Sequence, residues 1–422
     1  MPPPLLLFED SQVDRLYPLT YTRAACELRA GLLTLLERFI TNLRGTSFAG
    51  VLVRPHLASV VRRRVGEVPV NPSLSTREGI LLINARWLLR AEQAAAFRLP
   101  DVDTAGLAQS TVVWAHLSAE LASTLDLSRI HEPRAFDAVL PKLQRIAVNP
   151  APTLINRPWD LLDAQRGAIL EDFARLGAAN HGQLLPGAHL LAPEKIHIAR
   201  GVKIWPGAVL DAQNGPILIG EDTEIGANAV ITGPVAFGAH CVIRTGADIR
   251  EDSSFGPNSR VGGEIINSLF LGNANKQHHG FVGQTIVGEW ANLGAGTTTS
   301  NLKNTYGNVK MPLTGADEAS GRLFLGSLIA DHAKLGIGTY LSTGSVIGFG
   351  SHVVVPRPPR FVPSFAWVTD KGVARADFEK LEQVAATVMK RRGQEFTPED
   401  HELWVRLASE FAPAEQFTWP DA

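Results

Sequence analysis

Two adjacent histidines, His278 and His279, stand in the polar run Asn273-Ala-Asn-Lys-Gln-His-His-Gly280. An imidazole titrates near neutrality, so either ring suits a general base that takes a proton from an attacking nucleophile. Zinc binding is a poorer use of the pair, because neighbouring residues on extended chain point to opposite sides and no third ligand stands at a metal-binding spacing. The two cysteines, Cys26 and Cys241, are far apart and lack ligand partners, so they read as small core residues in a reducing compartment.

A base needs a rigid frame, and a six-residue repeat supplies one. Ile219, Ile225, Ile231, Phe237, Ile243, Ile249, Phe255 and Val261 recur at intervals of six. The same spacing links Ile198, Ile204 and Leu210, then Phe281, Val287 and Leu293, then Leu323, Ile329, Leu335, Leu341, Ile347 and Val353. A period of six suits a short strand and a turn, with one large side chain pointing inward per flat face. Gly220, Gly226, Gly238 and Gly256, each next to an inward residue, are expected to supply the tight corners. Three hexads make one triangular coil, which predicts a parallel β-helix over 186–370. Interruptions at 273–280 and from about 301 to 321 are expected to leave the coil as loops and to carry function.

Residues 1–160 change character. Short apolar runs such as Pro4-Leu-Leu-Leu-Phe8 and Gly79-Ile-Leu-Leu-Ile-Asn84 alternate with helix-like stretches, an α/β pattern with buried strands. A connecting helix is expected within 161–185, with Leu162, Ile169, Phe173 and Leu176 on one stripe. A helical tail over 371–422 should hold helices at about 375–391 and 398–411, the second opened by Thr397-Pro398. The length of 422 residues calls for more than one domain, and a net charge of −2 excludes the basic surface of a general nucleic-acid binder. The apolar start is too short for a signal or a membrane span, so a cytoplasmic protein without membrane partner is expected.

The hexads resemble those of the hexapeptide-repeat acyltransferases, whose coil is left-handed. More closely, Gly272-Asn-Ala-Asn-Lys-Gln-His-His-Gly-Phe-Val-Gly283, Gly288-Glu-Trp-Ala-Asn-Leu-Gly-Ala-Gly-Thr297 and Ser300-Asn-Leu-Lys-Asn-Thr-Tyr-Gly307 resemble the acetyltransferase domain of the bifunctional N-acetylglucosamine-1-phosphate uridyltransferase family. The resemblance implies that His278, with His279 as its one-residue alternative, takes a proton from a sugar amine, so that the nitrogen attacks the thioester of acetyl-coenzyme A. It places Arg244 on the sugar phosphate, makes Lys276, Asn292 and Asn301 further substrate-binding candidates, and puts Ser327 near the acetyl group. Ile266 and Leu302 stand where that family carries a lysine and a tyrosine.

At the N-terminus, Asp14-Arg-Leu-Tyr-Pro-Leu-Thr20 resembles the end of the signature loop of the sugar-phosphate nucleotidyltransferases. Pro18-Leu-Thr-Tyr-Thr-Arg23 with Glu27-Leu-Arg-Ala-Gly31 is similar to the start of a variant bacterial branch that fuses the two activities. The resemblance implies a nucleotidyltransferase-like, Rossmann-like domain with Arg15, Thr20, Arg23 and Arg29 as phosphate candidates, and Mg2+ for transfer from UTP or dTTP. The Gly-rich turn is missing: Phe8-Glu-Asp-Ser-Gln-Val-Asp14 offers carboxylates that would repel a phosphate, and Asn84-Ala85 stands where a Gly-Asp would hold magnesium, so metal ligands stay unassigned. The implied whole is acetyl transfer to an amino-sugar 1-phosphate in a homotrimer, joined to nucleotidyl transfer. The alternatives are nucleotidyl transfer alone, with the coil as an oligomerisation or regulatory module, and a non-catalytic sugar-nucleotide-binding scaffold.

Overall fold

The computed structural model describes residues 3–43, 47–73 and 79–419. These fall into two compact units that divide at Arg157 and Pro158, with the short segments Tyr17–Tyr21 and Arg29–Leu32 grouped with the second. The first unit is built on a six-stranded sheet in the order Phe48–Leu52, Leu5–Phe8, Ile80–Asn84, Thr111–Leu117, Thr104–Ala108, Gln144–Ala147. The first three strands are mutually parallel, and the sheet becomes mixed where Ile80–Asn84 meets Thr111–Leu117 antiparallel. Leu5–Phe8 and Ile80–Asn84 are buried on both faces, which is why they read as unbroken apolar runs rather than as alternation. Leu6, Phe8, Leu52, Leu82 and Leu117 centre its core.

The second unit is the parallel β-helix. One face stacks Ile198, Ile219, Phe237, Phe255, Phe270, Val287, Ile329 and Ile347 in register. A second stacks Ile204, Ile225, Ile243, Val261 and Lys276, resuming with Leu293, Leu335 and Val353. The third stacks Leu210, Ile231, Ile249, Ile265 and Val282. Phe255 sits between Phe237 and Phe270, ring centroids 4.9 and 5.1 Å away, and each buried ring contributes roughly 1.5–3 kcal/mol. Cys241 is buried in this core, and burial pushes its thiol up to about 12; Cys26 is buried in the first unit and likewise raised.

Four expectations change here. The coil begins at Ala179–Asn180, ahead of residue 186. The run 273–280 does not leave the coil, because Asn275–Lys276 forms a strand paired with Arg260–Val261. The hexad phase fails at Phe281 and Leu323: the rung from Phe270 to Val287 is one residue short, so Val282 turns inward and Phe281 outward, while Leu323 lies exposed beyond the second interruption. The glycines after inward residues are not the corners. A Cβ at Gly220 would lie 2.7 Å from the backbone N of Ala239, so the close pass of the next rung demands glycine there. The left-handed corner angles fall instead on residues such as Asp222, Asn228 and Asn258, at φ of 54, 57 and 60°.

The second interruption does leave the coil, and carries a hairpin of Lys310–Pro312 with Asp317–Ala319. The helix Asp160–Leu176 lays Ile169 on Leu218 and Ala236, outward residues of the first coil face. Leu176, placed on the buried stripe by its spacing, is 37% exposed, while Gln165 and Asp172 are buried and accept from the backbone N–H groups of Gly31 and Leu32. Helices Phe378–Lys390 and Pro398–Arg406 form the tail, and the Asp400 carboxylate closes the second by accepting from the N–H and hydroxyl of Thr397. Among the described residues, no helix is long and apolar enough to cross a membrane.

Candidate active site

The register of the second face puts Arg244, Gly262 and Gln277 at one edge of the coil on successive rungs, directly after inward Ile243, Val261 and Lys276. Arg244 is exposed, and so are His278 and His279 two rungs above it. Two glycines lie between them. A Cβ at Gly262 would come within 3.0 Å of Arg244 Cβ, and one at Gly263 within 2.9 Å of the His278 carbonyl, so glycine lets the arginine and the histidine corner approach. Gly296, above, donates its N–H to the His279 carbonyl at 3.0 Å. This edge opens onto the outer surface of the third face. There the Asn301 amide donates to the Gln284 side chain and lies, with the Phe281 ring, over Gly283, a glycine that both would overlap if it carried a Cβ. Arg244, His278 and Asn301 thus border one strip of surface.

Asn292 does not join them. It is outward on the second face, paired with Asn275, whose side chain accepts from Arg392 of the tail at 2.9 Å. Lys276 is a second correction: it was expected to bind substrate, but it is fully buried and points into the coil, where its ammonium donates to the carbonyls of His278, His279 and Gly262. Ser327 is a third. It is 1% exposed, its N–H donates to Thr285 Oγ1, and its hydroxyl is buried in the coil wall instead of lying on the open surface.

A groove of about 640 Å³ runs beside Asn301, lined by Lys303, Tyr340, Arg357 and Arg360. Sequence reasoning passed over these residues. Lys303 lies in the run from Ser300 to Gly307, and Arg357 and Arg360 stand among prolines in Pro356-Arg-Pro-Pro-Arg360, with no local pattern joining the two segments.

In the first unit the acidic turn is not a repulsive wall. Glu9 is fully buried and accepts from the backbone N–H groups of Ala25 and Arg54 and from the Arg54 guanidinium, Nε to Oε2 at 3.2 Å. Asp10 is held by Arg86 and by the Asn84 amide at 2.8 Å. The two carboxylates are therefore neutralised by arginines that no local pattern linked to them. Arg15 is exposed on the short helix Ser11–Leu16 and fits a phosphate contact. Thr20 and Arg23 are buried, at 0% and 3% exposure. Burial holds the pKa of half-buried His131 below the usual value, against the opposing pull of Glu132 and, more weakly, Glu9.

Among the described residues, no set of side chains fitting magnesium is gathered here. Glu9 and Asp10 are occupied by arginines, position 84 is an amide, and among the described residues no three His, Cys, Asp or Glu side chains gather as metal ligands.

The chain thus comprises two units, a mixed α/β sheet unit followed by a hexapeptide coil. Residues 5–180 match the family model described as sugar nucleotidyl transferase. The bifunctional sugar-1-phosphate nucleotidylyltransferase/acetyltransferase of Sulfurisphaera tokodaii is 31% identical over 46% of this chain and 42% of its own. The bifunctional protein GlmU of Acidithiobacillus ferrooxidans is 26% identical over 69% of this chain and 57% of its own. The chain thus spans about half the length of the curated relatives it matches. The solved UDP-N-acetylglucosamine acyltransferase of Francisella novicida covers 53% of this chain and 75% of its own at 16% identity and a TM-score of 0.29, a likeness too slight to carry any argument.

Proposed function

We propose that this chain transfers an acetyl group from acetyl-coenzyme A to the amine of an amino-sugar 1-phosphate, on the coil surface bordered by Arg244, His278 and Asn301. The observation that carries the reading is the placing of a cation and an imidazole at one edge, with only Gly262 and Gly263 between them. Arg244 would hold the phosphate as a charge-assisted pair. The neutral sugar amine would attack the thioester carbonyl with its lone pair, and the His278 ring would take the proton that the nitrogen loses as the new C–N bond forms. Collapse of the tetrahedral adduct expels the thiolate of coenzyme A, which the imidazolium can reprotonate, so the base is restored. The groove of Lys303, Arg357 and Arg360 suits the phosphates of the donor.

The active unit is read as a homotrimer. Helix Asp160–Leu176 covers the first coil face, and the tail helix lies along the second beside His352 and Trp367. The third face leaves His189, Val230, Asp248 and Tyr340 exposed, so a cleft over it needs a wall from another copy.

Sugar-1-phosphate nucleotidyl transfer in the first unit, from UTP or dTTP, is the second half of the reading, and the family match over residues 5–180 supports it. Arg15 is its exposed phosphate contact. Product analysis with glucosamine 1-phosphate and acetyl-coenzyme A, then with each triphosphate and magnesium, tests both halves. Free thiol without pyrophosphate would restrict the chain to acetyl transfer, pyrophosphate alone would leave the coil as an assembly module, and neither would make it a scaffold.

A further inference from the structure

The inward column of the second face runs through Ile225, Ile243, Val261 and Leu293, and Lys276 interrupts it with an ammonium group. An aliphatic side chain would fill that position without cost, as Val261 does below and Leu293 above. A buried cation persists in such a column only where acceptors surround it. The acceptors are specific. Along the same edge, the turns beginning at Trp205, Gly226, Arg244 and Gly294 are each closed by a backbone bond from the fourth residue to the first, as from Ala247 N to the Arg244 carbonyl at 3.1 Å. The turns beginning at Gly262, Gln277 and Gly336 carry no such bond; at Gly336 the Thr339 hydroxyl donates to the first carbonyl instead, and at the other two the Lys276 ammonium donates to the carbonyls of Gly262, His278 and His279.

We infer that Lys276 is a positioning residue for acetyl transfer: its ammonium, sealed inside the coil, ties the carbonyls of Gly262, His278 and His279 together and fixes the corner from which His278 presents its ring. The inference rests on reading His278 as the base. It explains why a charge is tolerated where the fold needs none, and why both histidines stay exposed on a corner without a closing turn bond of its own. Burial brings the Lys276 pKa down to about 8, with no charged side chain contributing. What faces it are the backbone carbonyls of Gly262, His278 and His279, while the rings of both histidines are exposed outside the coil. Above that pH the neutral amine is a weaker donor, and the corner loosens.

The test uses the full chain carrying Lys276→Met, which keeps the length of the side chain and removes its donors. We expect kcat for acetyl transfer to fall about tenfold to a hundredfold, the scale of a slightly misplaced catalytic group, with KM for both substrates little changed. The alkaline limb of the wild-type pH profile near 8 should vanish. Lys276→Ala should regain activity when ethylammonium is added. Amide exchange should quicken at Gly296, whose N–H is bonded to the His279 carbonyl, and not across the coil. Wild-type kcat in Lys276→Met, or exchange that rises throughout the coil without amine rescue, overturns the inference. A wild-type chain that releases no coenzyme A refutes the acetyl-transfer reading instead; exchange at Gly296 unchanged by Lys276→Met would then still overturn the claim that Lys276 holds the corner.

Discussion

Arg86 grips Asp10 through two parallel hydrogen bonds, Nε to Oδ1 at 2.8 Å and Nη2 to Oδ2 at 2.7 Å, and its side chain is fully buried. Its remaining donors reach the Ile155 carbonyl and the Asn156 side chain, so one guanidinium ties the acidic turn to the end of the unit. Arg86→Met should therefore destabilise the first unit by about 3 kcal/mol, as loss of one partner from a buried pair does. Denaturant melts of the full chain measure it. Asn84→Asp, which puts a carboxylate into the Asn84-Ala85 pair, should also destabilise, since it sets that group against Asp10, to which the Asn84 amide now donates at 2.8 Å. A gain of pyrophosphate release in Asn84→Asp would contradict this account.

His278→Ala should lower acetyl transfer by about 10²–10⁴-fold, with thermal stability unchanged, because an exposed corner imidazole contributes to rate rather than to packing. His279→Ala should have a smaller effect. Inactivity of His279→Ala alone would move the base by one residue, and activity in both variants would remove the mechanism.

Gly262→Ala tests the placing of Arg244. The new methyl would meet the Gln277 carbonyl at 2.6 Å and Arg244 Cβ at 3.0 Å, so the arginine must shift. Steady-state kinetics should show a raised KM for the sugar phosphate with kcat less affected, the pattern of lost ground-state binding. An unaltered KM would separate Arg244 from the phosphate.

Ile337 occupies the edge above His278, two residues after inward Leu335, and is 83% exposed. An apolar side chain so bare beside the candidate site fits burial against another copy. Ile337→Glu should convert a trimer to monomers by light scattering and abolish acetyl transfer with it. A monomeric wild-type chain with full activity would refute the shared site.

Glu415 links the tail to the coil end: its carboxylate accepts from the N–H and hydroxyl of Ser364, at 2.7 and 2.6 Å, and from the Tyr21 hydroxyl at 3.1 Å. Burial raises its pKa, against these bonds, which lower it. The folded form then binds this proton more tightly than the unfolded chain, so stability contributed by Glu415 falls as pH rises from the ordinary glutamate value through the raised one. Glu415→Gln should flatten that part of the stability–pH curve. An unchanged slope in urea melts taken across it would rule out the assignment.

The coil was legible because its signal is local. Ile219 to Val261 repeat at six residues, and a stack of rungs needs nothing more than one large inward side chain per face. Where a rung shortens, as between Phe270 and Val287, the count of six assigns Phe281 inward, and only strand pairing shows that Val282 takes the place. His278 and His279 were also readable from their polar run, and Arg244 through the family resemblance; all three are exposed.

Charge hid the rest. A lysine in a polar run reads as surface, yet the rung register turns Lys276 into the column occupied by Val261 and Leu293, and backbone carbonyls there accept from it. Glu9 and Asp10 read as a barrier to phosphate until strands far apart in the chain bring Arg54 and Arg86 against them. The sequence by itself determined the repeat, the two-unit organisation and which side chains have the chemistry of a base or a phosphate clamp, because periodicity and residue type are properties of the chain. Tertiary structure alone decided which of those groups face solvent together and which are consumed in holding the frame, because burial and hydrogen bonding depend on which rungs and strands become neighbours.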